Sequence, residues 1–401
     1  MITVQSIRDA AARIGPHRIR TPLVFSPTFS EMTGARVYLK LETLQKAGSF
    51  KIRGATNRIL CNLDIAKAHG VVAASAGNHA QGVAVAAHRA GVAATIVMPV
   101  WASGAKQAAT KGYGAQIVLA GQTLEESVDH ARALAREGML FIHPYDDEEV
   151  IAGQGTIGLE ILEDLPDVDR IIVPVGGGGL IAGIAIAVRG QRPSCRVTGV
   201  QAAACPSVYE ALRTGTALCT LAQPTLADGI RVTQAGSLTI PIIRDHVDPV
   251  ILVEEDEIAD AMLALIERKK VIAEGAGAAP LAALLSGRIP VEPGSGVVLV
   301  ISGGNIDSPL LERVIRRALV LRGRILACSV LLEDRPGALA GLLSLIAQEQ
   351  GNILDIHHEP AAPGIPIGYV RIRLEIETRG KDHVAAILSS LKKAGYATEP
   401  S

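Results

Sequence analysis

The side chain best suited to covalent or acid–base chemistry is Lys51, which stands where a helix is expected to begin. Ser49 is a good N-cap residue, and apolar residues recur at helical spacing over 52–60, so Lys51 should lie in the first turn. A cation there faces the positive end of the helix dipole, and Lys46 and Arg53 add like charge nearby. We therefore expect a lowered pKa for Lys51. A lysine that is partly a free amine at neutral pH can act as a Schiff-base nucleophile or a general base.

A solvated surface lysine is the alternative interpretation of Lys51, and for an isolated lysine it is the usual one. Here Gly48 and Gly54 bracket the lysine, and residues without a side chain let a ligand approach the backbone closely. Lys51 is therefore kept as a candidate nucleophile or base.

A run of four glycines follows a hydrophobic stretch at 171–175 and precedes an apolar segment that starts at Leu180. A strand, a Gly-rich turn and a helix in this order present free backbone N–H groups and a helix dipole to a phosphate. A dinucleotide would also need an acidic residue at the end of the next strand, where this chain has Gln201. The pattern favours a single phosphate monoester, and an ordinary structural turn is the alternative for the glycines taken alone.

Polar residues stand at the ends of two further predicted strands. Residues 75–79 begin a helix, so their N–H groups can bind an anion, while Asn78 either offers a planar donor or caps the helix. Ser302 directly follows a buried strand. Phe50, next to the lysine, is expected to form a wall of the same pocket, and packing in the core is its alternative.

His79 and Glu274 are further candidates for proton transfer. Either side chain could serve as an acid or base at neutral pH if its pKa were suitably shifted. Glu274 stands in the segment AEGAG and has a second interpretation, as the cap of the helix that follows. Since the sequence gives no distances, neither residue is assigned a catalytic role.

The composition limits the kind of protein and its partners. At 401 residues the chain is long for one core, so two or three domains are expected. A net charge of −1 leaves no basic field for nucleic acid or an anionic membrane surface, so small molecules are the expected partners. The five cysteines form no C-x-x-C pair and no cluster with histidines. We therefore expect no disulfide framework, no metal site and a cytoplasmic location. No segment is apolar for long enough to span a bilayer.

Strand and helix signals alternate along most of the chain. Strands at 94–98 and 116–119, with a helix from Ser103 between them, are typical of this pattern. Such alternation predicts an α/β fold with parallel sheets. We expect two layers, a smaller one over about 45–147 and a larger one from the N-terminus and about 148–320, with the site between them.

Five segments taken together resemble the fold-type II pyridoxal-phosphate enzymes, which include threonine and serine dehydratases, serine racemase and tryptophan synthase β. The segments are residues 46–55, 75–82, 176–180, 225–229 and 302–305. They occur in the order that threonine dehydratases show and cover most of residues 1–320. The resemblance implies a two-layered, tryptophan synthase β-like catalytic region over 1–322, with pyridoxal 5'-phosphate as cofactor.

The resemblance also implies roles for the residues named above. Lys51 would hold the cofactor and take the α-proton of the substrate, and Asn78 would bond the cofactor's ring hydroxyl oxygen. Ser302 would place a neutral hydroxyl at the pyridine nitrogen, which favours β-elimination over transamination. The implied substrate-carboxylate residues are Ser75, Gly77 and His79. The implied cofactor-binding residues are Phe50, Lys51, Asn78, Gly176, Gly177, Gly178, Gly179, Leu180 and Ser302.

The activity implied by the resemblance is deamination of L-threonine to 2-oxobutanoate and ammonia, with L-serine as a second substrate that gives pyruvate. Alternatives of the same fold type are serine racemase, 3-hydroxyaspartate dehydratase and phenylserine dehydratase. Serine racemases carry a serine where this chain has Ala76, and a metal-binding glutamate where it has Gln201. The first difference disfavours a racemase, and the second puts a metal site in doubt. A NAD-dependent oxidoreductase, already weakened by Gln201, and a non-catalytic amino-acid sensor are the alternatives from other classes.

The pattern changes beyond Arg324. A helix over 311–322 is expected to be a linker, and strand, helix, two strands, helix and a short tail follow it. That order predicts a ferredoxin-like module over 326–401 with a possible last strand. Residues 333–339 and 351–353 resemble the ACT domain, a small amino-acid-sensing module.

The ACT resemblance implies regulation by an amino acid, with isoleucine or valine as the first candidates. The implied effector-binding residues are Asp334, Gly337 and Asn352. A lone module of this kind leaves one sheet face and an edge strand to cover. We therefore expect modules from two subunits to pack together and to help build a homo-oligomer, a dimer or a tetramer.

Overall fold

The computed structural model describes residues 2–216, 219–360 and 364–400. The chain forms two compact units, of which the first ends at Asp307 and the second begins at Ser308. The helices described in the first unit are α1 (Val4–Ile14), α2 (Pro27–Thr33), α3 (Lys51–Cys61), α4 (Leu63–His69), α5 (Asn78–Ala90), α6 (Gly104–Gly112), α7 (Leu124–Arg136), α8 (Glu148–Asp164), α9 (Gly179–Arg189), α10 (Ser207–Thr214), α11 (Thr239–His246), α12 (Glu255–Ala264) and α13 (Gly275–Leu285). Its strands are β1 (Leu23–Phe25), β2 (Arg36–Leu41), β3 (Val71–Ala74), β4 (Ala94–Met98), β5 (Gln116–Leu119), β6 (Leu140–Phe141), β7 (Arg170–Pro174), β8 (Arg196–Ala202), β9 (Asp248–Val253) and β10 (Gly296–Ile301).

Two sheets divide the described part of the first unit into two lobes. The larger sheet has the order β1-β2-β10-β7-β8-β9, with β1 antiparallel to β2 and the other pairs parallel. The smaller sheet has the order β5-β4-β3-β6 and is parallel throughout. We call β3–β6 with α4–α7 the small lobe, and the rest of the first unit the large lobe. The predicted α/β class is confirmed.

The carboxyl ends of three parallel strands lead into the segments that the sequence singled out. β7 is followed by the glycine run, β10 by Ser302 and β3 by Ser75. β10 lies between β2 and β7 in the large sheet. Ligands of open parallel sheets bind outside the carboxyl ends of the strands, so the fold places these segments where a site is expected.

Helices α8 and α9 of the large lobe approach each other through glycine. A Cβ atom on Gly183 would stand 2.6 Å from the Gly155 nitrogen and would also overlap the Ile151 carbonyl oxygen. Around this contact, Ile181 and Ile184 belong to the buried apolar core. Because α8 also packs against α3, the close approach supports the helix that begins with Lys51.

The second unit is an antiparallel sheet with helices. Its described elements are α14 (Ser308–Leu321), β11 (Ile325–Glu333), α15 (Ala338–Gln348), β12 (Asn352–Glu359), β13 (Tyr369–Glu377), α16 (Lys381–Lys393) and β14 (Thr398–Pro400). The strand order is β12-β13-β11-β14. This is the predicted ferredoxin-like module, and its tail does form a last strand of three residues, paired with β11. The helix expected to be a linker instead packs on β11 and belongs to this unit.

No helix among the described residues combines the length and the apolar character that a membrane span requires. The same residues contain no group of three or more histidine, cysteine, aspartate or glutamate side chains arranged to hold a metal ion.

Gly183→Ala tests the close approach of α8 and α9. The added methyl group meets backbone atoms that cannot move without separating the helices, so we expect a loss of about 1–3 kcal/mol in the free energy of unfolding. Gly112→Ala is the matched control, because a Cβ on Gly112 meets no atom within 4 Å, and it should change stability by less than about 0.5 kcal/mol. Thermal or urea unfolding measures the free energy of unfolding of both variants. Equal stabilities of the two variants would contradict the packing argument.

Candidate active site

A pocket with about 520 Å³ of space free of protein atoms is lined by segments of both lobes. All nine residues predicted to bind the cofactor line it: Phe50, Lys51, Asn78, Gly176, Gly177, Gly178, Gly179, Leu180 and Ser302. The wall also contains Tyr145 and Glu274. The structure therefore brings together residues that are up to about 250 positions apart in the sequence.

Lys51 is the first residue of α3, and its amine points to the pocket. The Nζ atom donates a hydrogen bond to the Pro144 carbonyl at 2.8 Å and lies 5.2 Å from the centre of the Phe50 ring. Burial lowers the pKa of Lys51 to about 8, and the negative charge of Glu274 opposes that shift. The predicted direction is confirmed, but desolvation is the main cause, in place of the helix dipole and the nearby like charges.

Ser49 does not cap α3. The N-cap residue is Phe50, and it offers no side-chain cap hydrogen bond. Ser49 instead forms an isolated antiparallel bridge with Gly303, and its buried hydroxyl has no hydrogen-bond partner among the described residues. The backbone pairing with the Ser302–Gly303 segment thus fixes the position of Ser49. The helix cap that the sequence predicted for Ser49 does not form.

Arg53 ties α3 to the rest of the large lobe. Its Nε and Nη2 atoms donate to Glu42 at 2.8 and 2.7 Å, and Nη1 and Nη2 donate to Glu160 at 2.7 and 3.0 Å. The second hydrogen of Nη1 goes to Thr156 at 3.1 Å. Two carboxylates therefore neutralise this guanidinium, which explains why it does not act on Lys51 as a free like charge.

The glycine run forms a cradle without side chains beneath Tyr145. A Cβ on Gly177 would stand 2.5 Å from Tyr145 Cγ, and one on Gly179 would stand 2.7 Å from the Tyr145 carbonyl oxygen. Gly178 has φ +98°, a left-handed conformation that favours glycine. The cradle leads into the first turn of α9, where N–H groups are free to bind an anion.

The backbone opposite the cradle is fixed by polar contacts. Thr239 Oγ1 donates to the Gly177 carbonyl at 2.7 Å. The Asp146 carboxylate accepts from Ser237 N and Oγ at 3.0 and 2.9 Å and from Leu238 N at 2.8 Å. These bonds join the segment 237–239 both to the loop that carries Tyr145 and to the glycine run. They therefore fix the width of the cradle, which is the distance between Tyr145 and the glycines.

Glu274 and Asn78 meet at the pocket wall. Asn78 Nδ2 donates to Glu274 Oε1 at 2.6 Å, and Asn78 Oδ1 accepts from Asn305 Nδ2 at 2.8 Å. Glu274 is only 3% exposed. Burial, reinforced by the charge of Asp228, raises the pKa of Glu274 to about 8. A carboxyl group that titrates near neutral pH and faces Lys51 can hold or release a proton during a reaction.

Comparison with known proteins identifies the family. Residues 14–303 match the family model described as pyridoxal-phosphate dependent enzyme, and residues 327–395 match the ACT domain. The chain belongs to the pyridoxal-phosphate dependent enzymes.

Two relatives of this enzyme match along its whole length. An L-threonine ammonia-lyase of Thermotoga maritima is 47% identical over 99% of this chain and 98% of its own. Another L-threonine ammonia-lyase, from Geobacter sulfurreducens, is 48% identical over 100% of this chain and 99% of its own. An L-threonine dehydratase of Staphylococcus aureus is 48% identical over 80% of this chain, and that match includes 93% of its own length.

Solved structures give the same fold for the first unit. Threonine deaminase isoform 2 of Solanum lycopersicum superposes with a TM-score of 0.75 and 35% identity, over 78% of this chain and 92% of that one. Maize serine racemase superposes with a TM-score of 0.74 and 37% identity, over 80% of this chain and 98% of that one. The predicted fold-type II architecture is confirmed.

The pocket of this pyridoxal-phosphate enzyme fits its cofactor. The cradle has no Cβ atoms where a phosphate would lie, and an amine with a lowered pKa faces the same space. These two features match the phosphate and the aldehyde of pyridoxal 5'-phosphate.

Three residues predicted to hold the substrate carboxylate lie outside the pocket wall. Ser75 Oγ accepts from the Gly77 nitrogen at 3.1 Å. His79 is buried, and its Nε2 atom is 2.8 Å from the Ile142 carbonyl oxygen. Burial lowers the pKa of His79 to about 3, so the ring is neutral and its Nε2 donates to that carbonyl. The Nε2 atom of His79 is thus already bonded, and contact of Ser75, Gly77 and His79 with the substrate carboxylate stays a prediction.

Glu274 and Tyr145 are among the residues of the pocket wall that the sequence did not assign. Glu274 occupies the N-cap position of α13 but makes no side-chain cap bond, because its carboxyl group faces Asn78. The small residues around Glu274 were the sequence signal that could have indicated its role, since they leave room for a buried carboxyl group. Tyr145 stands in a loop without any motif, and no local signal points to it.

The three residues predicted to bind an effector are exposed in the second unit, but the structure does not bring them together within one chain. Gly337 is the N-cap of α15, and Asp334 N donates to the Gly368 carbonyl at 2.8 Å, beside the start of β13. Asn352 pairs with Glu377, the last residue of β13. The two ends of a strand of nine residues are roughly 26 Å apart.

Gly177→Ala tests the cradle. The new methyl group overlaps the Tyr145 ring, so we expect affinity for pyridoxal 5'-phosphate to fall about tenfold or more, a loss of about 1.4 kcal/mol. Adding Tyr145→Ala removes the ring and should restore much of the affinity. Titration of the apo-protein with cofactor, followed by absorbance, measures both.

Gly179→Ala provides the matched comparison. Its methyl group meets backbone atoms of Tyr145, so Tyr145→Ala should not rescue it. Rescue of both glycine variants, or of neither, would show that the Tyr145 ring does not set the width of the cradle.

Proposed function

We propose that the enzyme is a threonine ammonia-lyase that converts L-threonine to 2-oxobutanoate and ammonia by β-elimination, and L-serine to pyruvate. The observation that carries this proposal is the sequence identity of 47–48% with two L-threonine ammonia-lyases over both units. The pocket supports it, because an amine and a carboxyl group whose pKa values are each shifted to about 8 line the same pocket as the glycine cradle. Ala76 offers no acid for the second face of the substrate, which disfavours racemisation.

The residues of the pocket have different roles in this proposal. Backbone N–H groups of residues 176–180 would hold the cofactor phosphate, Asn78 and Ser302 would hold its ring, and Phe50 would form a wall beside it. The bound cofactor supplies an electron sink for the α-carbon. Lys51 accepts the α-proton, since its lowered pKa makes the free amine available at neutral pH. Loss of the β-hydroxyl as water then gives an enamine, which hydrolyses to the keto acid and ammonia.

The second unit regulates and assembles the enzyme in this proposal. Its match to the ACT domain supports an amino-acid effector, and isoleucine or valine is proposed because threonine deamination leads towards isoleucine. Since Asp334 and Asn352 lie at opposite ends of β13, a small effector that touches both must bind between two chains of a dimer or tetramer. The enzyme is proposed to act in the cytoplasm.

Lys51→Ala should abolish threonine deamination. Loss of the amine removes the proton acceptor and the attachment point of the cofactor together, so turnover should fall by roughly a thousandfold or more. Lys46→Ala is the control, because Lys46 is exposed and outside the pocket. A coupled assay for 2-oxobutanoate, with circular dichroism to verify folding, gives the answer. A folded Lys51→Ala enzyme with wild-type turnover would refute the assignment.

A shortened chain that ends at Asp307 should deaminate threonine and ignore branched-chain amino acids. The S. aureus relative, which aligns with only 80% of this chain over nearly its whole length, supports the independence of the first unit. The comparison is threonine kinetics with and without isoleucine or valine, in the full-length and the shortened enzyme. If no proteinogenic amino acid changes the kinetics or the melting temperature of the full-length enzyme, the second unit has no sensing role.

A further inference from the structure

The segment 142–147 leads from β6 in the small lobe to α8 in the large lobe, and we call it the crossover. It contributes two groups to the pocket. The Pro144 carbonyl oxygen accepts from Lys51 Nζ at 2.8 Å, and the Tyr145 ring lies against the glycine cradle. Any contact that fixes the backbone of the crossover therefore fixes both an acceptor for the Lys51 amine and one wall of the cradle.

His143 organises the turn in the middle of the crossover. Its Nδ1 atom accepts from the Asp146 backbone nitrogen at 2.8 Å and from the Tyr145 backbone nitrogen at 3.3 Å. Because a backbone N–H can only donate, Nδ1 carries a lone pair and the ring proton is on Nε2. Burial lowers the pKa of His143 to about 4, and the charge of Asp146 opposes that shift. The ring is therefore neutral near pH 7 and keeps both bonds.

The two ends of the crossover are held by other side chains. At its start, His79 Nε2 donates to the Ile142 carbonyl oxygen at 2.8 Å. At its end, the Asp146 carboxylate accepts from the backbone nitrogens of the segment 237–238 at 3.0 and 2.8 Å. The turn between these two anchors is bonded internally, through His143.

The His143 ring also makes aromatic contacts, which are a second way in which it could act on the crossover. Its centroid lies 4.8 Å from that of Tyr145 with the planes at 81°, and 6.1 Å from that of Phe141 with the planes at 69°. Any aromatic side chain of similar size can make such edge-to-face contacts. The two backbone bonds instead need a ring nitrogen with a lone pair, which a phenyl ring does not have. The two kinds of contact therefore depend on different atoms of the same side chain.

We propose that His143 is a positioning residue whose Nδ1 acceptor fixes the crossover turn, so that Pro144 holds the Lys51 amine and Tyr145 bounds the glycine cradle. His143 is not part of the pocket wall, and it acts through these neighbours. Its effect on proton transfer by Lys51 rests on the proposed function. Its effect on the cradle requires only that the enzyme binds pyridoxal 5'-phosphate.

Two substitutions separate the acceptor from the ring. His143→Asn removes the ring but keeps an oxygen that accepts from backbone N–H groups two or three residues later, as asparagine does in turns. His143→Phe keeps an aromatic ring and removes the acceptor. His130→Phe is the matched control, because His130 is an exposed histidine on α7 of the small lobe.

His143→Phe should weaken the affinity of the apo-protein for pyridoxal 5'-phosphate by about tenfold or more, because the turn loses its acceptor. Absorbance titration with the cofactor measures this affinity. In threonine deamination, kcat should fall by about ten- to a hundredfold with little change in KM, since the amine is displaced and substrate binding is not. His143→Asn and His130→Phe should stay within about threefold of the wild type in each quantity.

The order of the two His143 variants is the decisive result. Near-wild-type values for His143→Phe together with losses for His143→Asn would mean that ring packing positions the crossover, and would overturn the proposal. Equal losses in both variants, or losses in neither, would overturn it as well.

Circular dichroism verifies that the variants fold. If His143→Phe does not fold, His143→Asn decides, because near-wild-type cofactor affinity supports the acceptor role and a tenfold loss refutes it. A wild-type enzyme that binds the cofactor without deaminating threonine would refute the proposed function. The cofactor titrations would still test the role of His143 in that case.

Discussion

The charge of Arg53 is the constraint on which the site depends. Its guanidinium is fully buried two residues after Lys51, and each of its five N–H donors has a partner. Burying a cation without such partners carries a prohibitive desolvation cost. Removing one carboxylate of a buried pair typically destabilises the fold by about 3–5 kcal/mol. Arg53 therefore fixes the rotation and the depth of α3, and with them the direction of the Lys51 side chain.

The same cluster extends beyond Arg53 into the large sheet. Lys40 is also fully buried, and its Nζ atom lies 2.7 Å from Glu160 and donates to the Thr21 carbonyl at 2.7 Å. Glu160 thus serves two buried cations, from β2 and from α3. Since α3 also packs on α5 of the small lobe, it is anchored by charge on one side and by apolar contact on the other.

Burial gives Lys51 and Glu274 an unusual relation. An amine and a carboxyl group in water differ by about 6 pKa units, but in this pocket both titrate near 8. The amine therefore loses a proton more readily, and the carboxyl group keeps one more readily, than either does in water. A site that must take a proton from carbon and later return to its starting state gains from such a balance. The main cause of both shifts is desolvation by burial.

Local signals were enough to predict much of this enzyme. β4 (Ala94–Met98) and β5 (Gln116–Leu119) have the predicted bounds, because alternating elements are bounded by clear turn residues. Lys51 and the glycine run could be predicted for a similar reason, since each is recognised from the residues immediately beside it in the sequence. Glu274 was not assigned, because its partner Asn78 lies 196 residues away. Tyr145 was missed because its fit over Gly177 depends on the order of the strands. The wrong cap at Ser49 has a similar origin, in a backbone bridge to Gly303 that no local pattern encodes.

The order of the strands in the second unit also limits how regulation can work. An amino acid is far smaller than the length of β13, so no single ligand reaches both the turn before α15 and Asn352 in one chain. An effector held by both must therefore join two chains, and its binding is linked to their association. Two consequences follow from that linkage. In the proposed arrangement the apparent affinity for an effector would depend on protein concentration, because dissociated chains would not contain the complete site. Such an effector would alter catalysis only as far as it favours one assembled arrangement over another, which for most regulated proteins amounts to about 1–3 kcal/mol.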